Sequence, residues 1–383
     1  MVTVLEQKEV DPSERLAAVL PAIAARAAEH DAANTFVAEG YALLKRARLF
    51  SAGVPAELGG DGLSPPELAA MLTRLARSCS ATALAFAMHT HLVAVSAWRW
   101  RNQQKELVEP LLRHIAAQQC VLVSTGGSDW LESSGTARKI DGGYAIEGVK
   151  GFASGAPAGS LLSTSAIHQD AEGGATVLHF MVPLDASELR IDPTWNALGM
   201  RGTASHQIHI NGFLVPEAAV MLRRPKGEWH AAYHLVAMIA VPLIYSVYLG
   251  IAEAMRDAAV QAARRKPVTA QLVDQVGDLE TELAGSRMAL ADMLANSSGP
   301  PGPETTNRAF LGRANFVRAA LATADRAMDL AGAAGYMRFH PIERLFRDIQ
   351  AARFHPLPSR PQRDLAGRIA LGLPIDRALP TAA

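Results

Sequence analysis

Ala116-Ala117-Gln118-Gln119-Cys120-Val121-Leu122-Val123-Ser124 is where this chain changes character. Upstream, from Pro12 to about Gln118, alanine, leucine, glutamate and arginine dominate. Apolar residues recur there at spacings of three and four, as in Glu14 to Ala33 and Pro66 to Ala76, the pattern of helices with one buried face. Glycine and proline clustered at Ala52-Gly53-Val54-Pro55 and Leu58-Gly59-Gly60-Asp61-Gly62 break the region into separate helices. Ala81 to Trp98 reads as a further apolar helix, and it carries His89 and His91. Downstream, valine, threonine, serine and glycine take over. Tyr144 to Val149, Thr176 to Val182 and His206 to Ile210 alternate as strands do, with turn signals at Asp141-Gly142-Gly143 and Asn211-Gly212. Four or more short strands at this spacing predict an antiparallel barrel or sandwich. After about Glu217 helix returns over His230 to Arg265, Thr269 to Ala295 and Asn307 to Leu330, and Ser297 to Pro303 is the loop between two antiparallel helices.

At 383 residues the chain is long enough for two or three domains and a large core. Lysine plus arginine equals aspartate plus glutamate at 37 each, so no bulk field draws it to nucleic acid or an anionic membrane. Two cysteines, Cys79 and Cys120, fit a reducing compartment, and their spacing gives neither a disulfide framework nor a metal site. Met1 to Pro12 is polar and acidic, without the apolar core of a signal peptide, and a cytoplasmic location is expected. Leu235 to Ala252 approaches the length of a membrane span. It contains Pro242, Tyr245, Ser246 and Tyr248 and runs on into Glu253, Arg256 and Asp257, which points to a helix buried inside a bundle.

Several segments resemble the acyl-CoA dehydrogenase superfamily in the correct order. Gly53 to Gly60 is similar to the early helical-domain signature, and Gly127-Ser128-Asp129 to the close of the first β motif. Lys150-Gly151-Phe152-Ala153-Ser154-Gly155 resembles the strand along the flavin, and Leu198 to Thr203 with Phe213 to Glu217 the end of that domain. Ala331 to Tyr336 and Pro341 to Asp348 resemble the late segment. The resemblance implies an α+β fold: an N-terminal α-helical domain over residues 1–118, a central antiparallel β barrel or sandwich over 119–222, and a C-terminal four-helix bundle over 223–383. It also implies a flavin, FAD or FMN, and a homotetramer. An isoalloxazine needs an apolar slot, edge hydrogen bonds and a partner near N5. By correspondence Ser154 supplies the hydroxyl near N5, Phe152 walls the ring, Val123 and Ser124 meet its pyrimidine edge, and Ser128 and Arg264 complete the cofactor contacts.

The chain departs from the dehydrogenase pattern at the base. Counting from Arg347-Asp348, the position of the proton-abstracting glutamate is Pro356, and the alternative position on the first long helix of the bundle is about Ala240. Neither is a carboxylate. Arg264-Arg265-Lys266-Pro267-Val268 lacks the phenylalanine-glycine that follows the family's arginine, and Asp329 replaces a glutamine, changes that leave FMN or transient reduced flavin in play. In exchange there is His355 beside Pro356, and His89 in the helical domain. The monooxygenase branch, such as dibenzothiophene monooxygenase, is similar in placing histidines there. Imidazole, with an unperturbed pKa of about 6.5, suits proton management near neutral pH. His89 and His91 lie about 200° apart on a helix, so at most one faces the flavin, and His89 is the expected one.

The favoured expectation is a reduced-flavin-dependent monooxygenase with His355 and His89 as its catalytic residues, a separate flavin reductase as partner, and an aromatic or heteroatom compound as substrate. The alternatives are an acyl-CoA dehydrogenase with FAD and electron-transfer flavoprotein, and a catalytically silent flavin- or acyl-binding protein. No metal is expected.

Overall fold

The computed structural model describes residues 10–102, 105–126, 132–170 and 172–375. Five helices come first: α1 (Pro12–Ala33), α2 (Ala38–Arg46), α3 (Pro65–Ser78), α4 (Ser80–Asn102) and α5 (Lys105–Gln118). Strands β1 (Leu122–Ser124), β2 (Thr136–Ile140), β3 (Gly143–Ala153), β4 (Leu161–Gln169), β5 (Ala175–Pro183), β6 (Leu189–Asp192), β7 (His206–Pro216) and β8 (Leu222–Pro225) follow. The chain ends with α6 (Ala231–Ala263), α7 (Ala270–Ala295), α8 (Pro303–Ala331), α9 (Pro341–Ile349) and α10 (Ser359–Ala370).

Helix α6 explains its own composition. Its 33 residues span about 50 Å. It packs on α3 and α4 as well as on α7, α8 and α9, so it has little face left for water. Leu243, Tyr245, Val247, Tyr248 and Ile251 are all fully buried. The near-continuous apolar run is therefore what a helix between two layers needs, and 94% of its most apolar window is buried inside the protein. Gly250 marks the closest approach: a Cβ there would fall 2.3 Å from the Thr73 carbonyl oxygen of α3. At the same crossing Thr73 Oγ1 donates to the Ser246 carbonyl at 3.0 Å.

The sheet runs β6-β7-β3-β2-β4-β5-β8, with β1 alongside β4. Residues from both halves, among them Tyr144, Ile146, Phe180, Leu178 and Ile208, form one core, so the sheet curls around it. It is not purely antiparallel: β1 and β2 each run parallel to β4. Asn211-Gly212 also departs from expectation. Instead of turning the chain it lies inside β7, where Glu147 faces Asn211 and Ile146 faces Phe213. Gly212, at φ 79°, is the extra residue of a bulge.

Gly250→Val should lower stability by about 2–3 kcal/mol, read as a fall in melting temperature, because neither α3 nor α6 can move without opening the core. Gly277→Ala, on the exposed face of α7 with nothing near its added Cβ, should leave the melting temperature unchanged or raise it. Equal effects from the two variants would contradict this account of α6.

Candidate functional site

Helix α4 is apolar on all sides and buried over most of its length, and its two histidines have different tasks. The Leu122 backbone N–H donates to His89 Nδ1 at 2.9 Å, and His89 Nε2–H then donates to the Phe50 carbonyl at 2.7 Å. With both nitrogens committed to backbone, His89 has none left for a reaction; it staples α4 to β1. This corrects the expectation that His89 is catalytic. Its ring belongs to an aromatic wall with Tyr41, Phe50 and Phe86 at centroid separations of 5.0–5.4 Å. His91 is the residue with capacity to spare. Its Nδ1–H donates to the Ala87 carbonyl at 3.1 Å, which leaves Nε2 a bare acceptor.

The late loop supplies the second imidazole. The Tyr248 hydroxyl, buried at the midpoint of α6, lies 2.7 Å from His355 Nδ1. A buried phenol must place its hydrogen, so Tyr248 donates and His355 carries its own proton on Nε2. Burial holds the Tyr248 phenol well above its usual range and so keeps it a donor. The loop is gripped from behind by Arg313 of α8, which donates to the Arg353 carbonyl at 3.0 Å and the His355 carbonyl at 2.8 Å. Burial first, and then the Arg313 charge, push the His355 pKa down to about 4. The same burial takes His91 and His89 to about 4. These imidazoles are neutral at pH 7, not poised near 6.5 as their unperturbed value implies. His91 is close enough to His355 for a charge on one to penalise the other.

At the end of β3 the chain bends at Phe152, whose φ is 58°, and the Phe152 ring is 59% exposed. Its edge rests on Trp195 at 6.2 Å between centroids. Gly126 leaves room for the Phe152 side chain: a Cβ there would fall 2.7 Å from Phe152 Cβ and 2.8 Å from its ring. Two residues on, Ser154 Oγ lies 2.7 Å from Ser205 Oγ, which lies 2.7 Å from Thr203 Oγ1. Thr203 Oγ1 donates to the Met200 carbonyl at 2.8 Å. The Tyr41 hydroxyl is buried against Gly155 without a hydrogen-bond partner among the described residues. Val123 is buried in the sheet core, so only its backbone can meet a ligand, while Ser124 is half-buried. Ser128 lies outside the described residues. Arg264 is exposed at the end of α6, about 24 Å along that helix from Tyr248, and is not part of the same cluster.

An exposed aromatic face beside strand-end hydroxyls fits a flat aromatic ligand with hydrogen-bonding edges, as a flavin is. Among the described residues, what the site lacks is a carboxylate where the base would stand. Pro356 occupies the loop position and Ala240 the position on α6. Glu253 is bound to Arg77 and Arg287, an interhelical pair. Asp348 is buried and accepts from Ser80 and from the Met200 N–H. Arg347 does not pair with it; it binds Asp31 and Glu343. The two neighbours point apart and tie α9 to α4, α1 and the segment before Thr203. Sequence reasoning passed over Tyr248, Ser205 and Arg313. The polar ends of Tyr245 and Tyr248 inside an apolar helix were the available signal for the first.

The chain matches the acyl-CoA dehydrogenase N-terminal domain over residues 17–114, the middle domain over 124–213 and the C-terminal domain over 243–359. It is 28% identical over 360 residues to L-evernosamine nitrososynthase of Micromonospora sp., covering 88% of this chain and 84% of that one. It is also 28% identical over 351 residues to the putative acyl-CoA dehydrogenase YdbM of Bacillus subtilis, covering 86% and 88%. Among solved structures it is similar to KijD3 in complex with FMN and dTDP-3-amino-2,3,6-trideoxy-4-keto-3-methyl-D-glucose. There the TM-score is 0.87 at 28% identity, covering 99% of this chain and 96% of that one.

Neutral buried imidazoles carry a stability signature. Their folded pKa of about 4 lies below the unfolded 6.5, so in that window the unfolded chain binds more protons and stability falls as pH falls. His89 alone should contribute roughly 3 kcal/mol of loss by pH 4. The melting temperature should therefore already decline between pH 6.5 and 5, above the range where carboxylates titrate. A flat profile there would contradict the assignment.

Proposed function

Because the chain belongs to the acyl-CoA dehydrogenase family, whose members are flavin-dependent oxidoreductases, we propose that it is a reduced-flavin-dependent monooxygenase acting on a nitrogen-bearing small molecule. The observation that carries the reading is the replacement at the base position. Thioester desaturation removes a proton from carbon and needs a carboxylate there; this chain has Pro356 and, beside it, a neutral imidazole tied to Tyr248. The nitrogen substrate is supported by the nitrososynthase similarity and by the amino sugar nucleotide held by KijD3.

A reduced flavin supplies two electrons to dioxygen, so that one oxygen atom enters the substrate and the other leaves as water. The chain's own residues do the rest. Phe152 and the strand end around Ser124 and Ser154 hold the ring. His355, fixed by Tyr248 at Nδ1, presents Nε2–H to the departing oxygen. His91, fixed by Ala87, presents a bare Nε2 to the proton leaving the substrate nitrogen. Arg313 keeps the loop closed and His355 uncharged. In this reading a separate reductase delivers the flavin in the cytoplasm, and the protein is a homotetramer in which Arg264 serves the flavin of a neighbouring copy.

The alternative is acyl-CoA desaturation with FAD, favoured by the likeness to YdbM. Two incubations separate them: chemically reduced FMN with dioxygen and an amino sugar nucleotide, and oxidised FAD with acyl-CoA panels under anaerobic conditions. Oxygenated product in the first and no flavin bleaching in the second is the expected pair; the reverse pair establishes the dehydrogenase. His355→Ala should reduce oxygenated product about 100-fold with flavin affinity within about twofold of wild type, and Tyr248→Phe about tenfold. Full turnover by His355→Ala would remove that imidazole from the mechanism.

A further inference from the structure

The hydroxyl chain at the end of β3 has a direction. A carbonyl oxygen only accepts, so the 2.8 Å contact between Thr203 Oγ1 and the Met200 carbonyl requires the Thr203 hydrogen to lie between them. It is the shortest of three bonds onto that oxygen, the others coming from Trp195 Nε1–H and the Thr203 backbone N–H, both at 3.1 Å. Thr203 can then only accept from Ser205, so the Ser205 hydrogen points at Thr203. Ser205 in turn can only accept from Ser154, so the Ser154 hydrogen points inward at Ser205. Thr203 and Ser205 are buried, at 0% and 7% exposure, which leaves solvent little access to reverse the order. Ser154, the half-buried member, therefore shows the site lone pairs and no hydrogen.

We propose that this relay makes Ser154 an acceptor toward flavin N5 and so selects the reduced over the oxidised cofactor. The inference rests on the flavin reading above and on Ser154 lying beside N5. Oxidised flavin has a bare N5 and needs a donor; reduced flavin carries N5–H and needs an acceptor. A serine on its own rotates its hydrogen to serve either form. A serine whose hydrogen is held by Ser205 serves one of them, and meets the other lone pair to lone pair. An enzyme that takes reduced flavin from a reductase and releases it oxidised gains uptake and release from the same polarity. Thr203 and Ser205 are on this account positioning residues: they do not touch the cofactor, and they fix which way Ser154 faces.

The test is equilibrium binding of FMN in both redox states, the reduced form measured anaerobically, with no substrate and no turnover. Wild type should bind reduced FMN at least tenfold more tightly than oxidised, which raises the bound two-electron potential by about 30 mV for each factor of ten. Ser205→Ala removes the acceptor that holds the Ser154 hydrogen, and Thr203→Val removes the anchor that sets the order. In each variant Ser154 is free to donate outward, and the preference should fall about tenfold, chiefly by tighter binding of oxidised FMN. Ser154→Ala should instead lose affinity for reduced FMN and bind oxidised FMN no more weakly than wild type. A wild type that prefers oxidised FMN, or folded Ser205→Ala and Thr203→Val proteins with the wild-type ratio, overturns the relay while leaving the oxygenase reading intact. Failure of wild type to bind either FMN or FAD in either state overturns the flavin reading itself, and the relay with it.

Discussion

Helix α6 is buried on two sides at once, and the chemistry at its midpoint inherits that dryness. Sandwiched between α3 and α4 on one side and the bundle on the other, it holds Tyr245 and Tyr248 where water does not reach them. Tyr245 ties the loop through the Ala352 carbonyl at 2.9 Å, and Tyr248 ties it through His355. Arg313 completes the grip from α8. The late loop is thus pinned by three buried side chains, and the position next to His355, where the family resemblance would put a dehydrogenase's glutamate, is a proline. Dryness also sets the protonation state: a neutral imidazole, not an imidazolium, is what this surrounding permits.

The architecture was legible where periodicity carries it. The switch near Gln118, the helical spacing of the first hundred residues and the alternation in β3, β5 and β7 all correspond to elements of the structure. Pattern alone fell short where partners are distant in sequence. Asn211-Gly212 has the composition of a hairpin turn, but β3 runs past it and makes it a bulge. Helical spacing separated His89 from His91 without saying which one the Leu122 N–H would claim, since that depends on β1 docking against α4. Arg347 and Asp348 are adjacent in sequence yet serve different partners, since adjacent helix positions do not face each other. Ser205 left a faint trace as the second hydroxyl of Thr203-Ala204-Ser205; its meaning lies in Ser154, fifty-one positions earlier.

The two candidate clusters are arranged by the same physics. At the loop, Tyr248 decides which nitrogen of His355 carries a proton; at the strand end, the Met200 carbonyl decides which way the hydroxyl chain runs. The carbonyl can only accept, and the buried Tyr248 hydroxyl has His355 Nδ1 as its hydrogen-bond partner; each fixes the polarity of a neighbour that could do either. Such an arrangement offers fixed donors and acceptors around neutral pH. That suits the handling of oxygen and amine protons better than the removal of a proton from carbon, for which an ionised base is needed.

The central claim is that a neutral imidazole, protonated at Nε2 and held by Tyr248, stands where the family's carboxylate would. Nitrogen-15 NMR of histidine-labelled protein, with His355 assigned by its disappearance in His355→Ala, tests this directly. The account requires an unprotonated Nδ1 and a protonated Nε2 at pH 7, unchanged down to pH 5. A His355 signal that titrates near pH 6.5, or one with its proton on Nδ1, would contradict it.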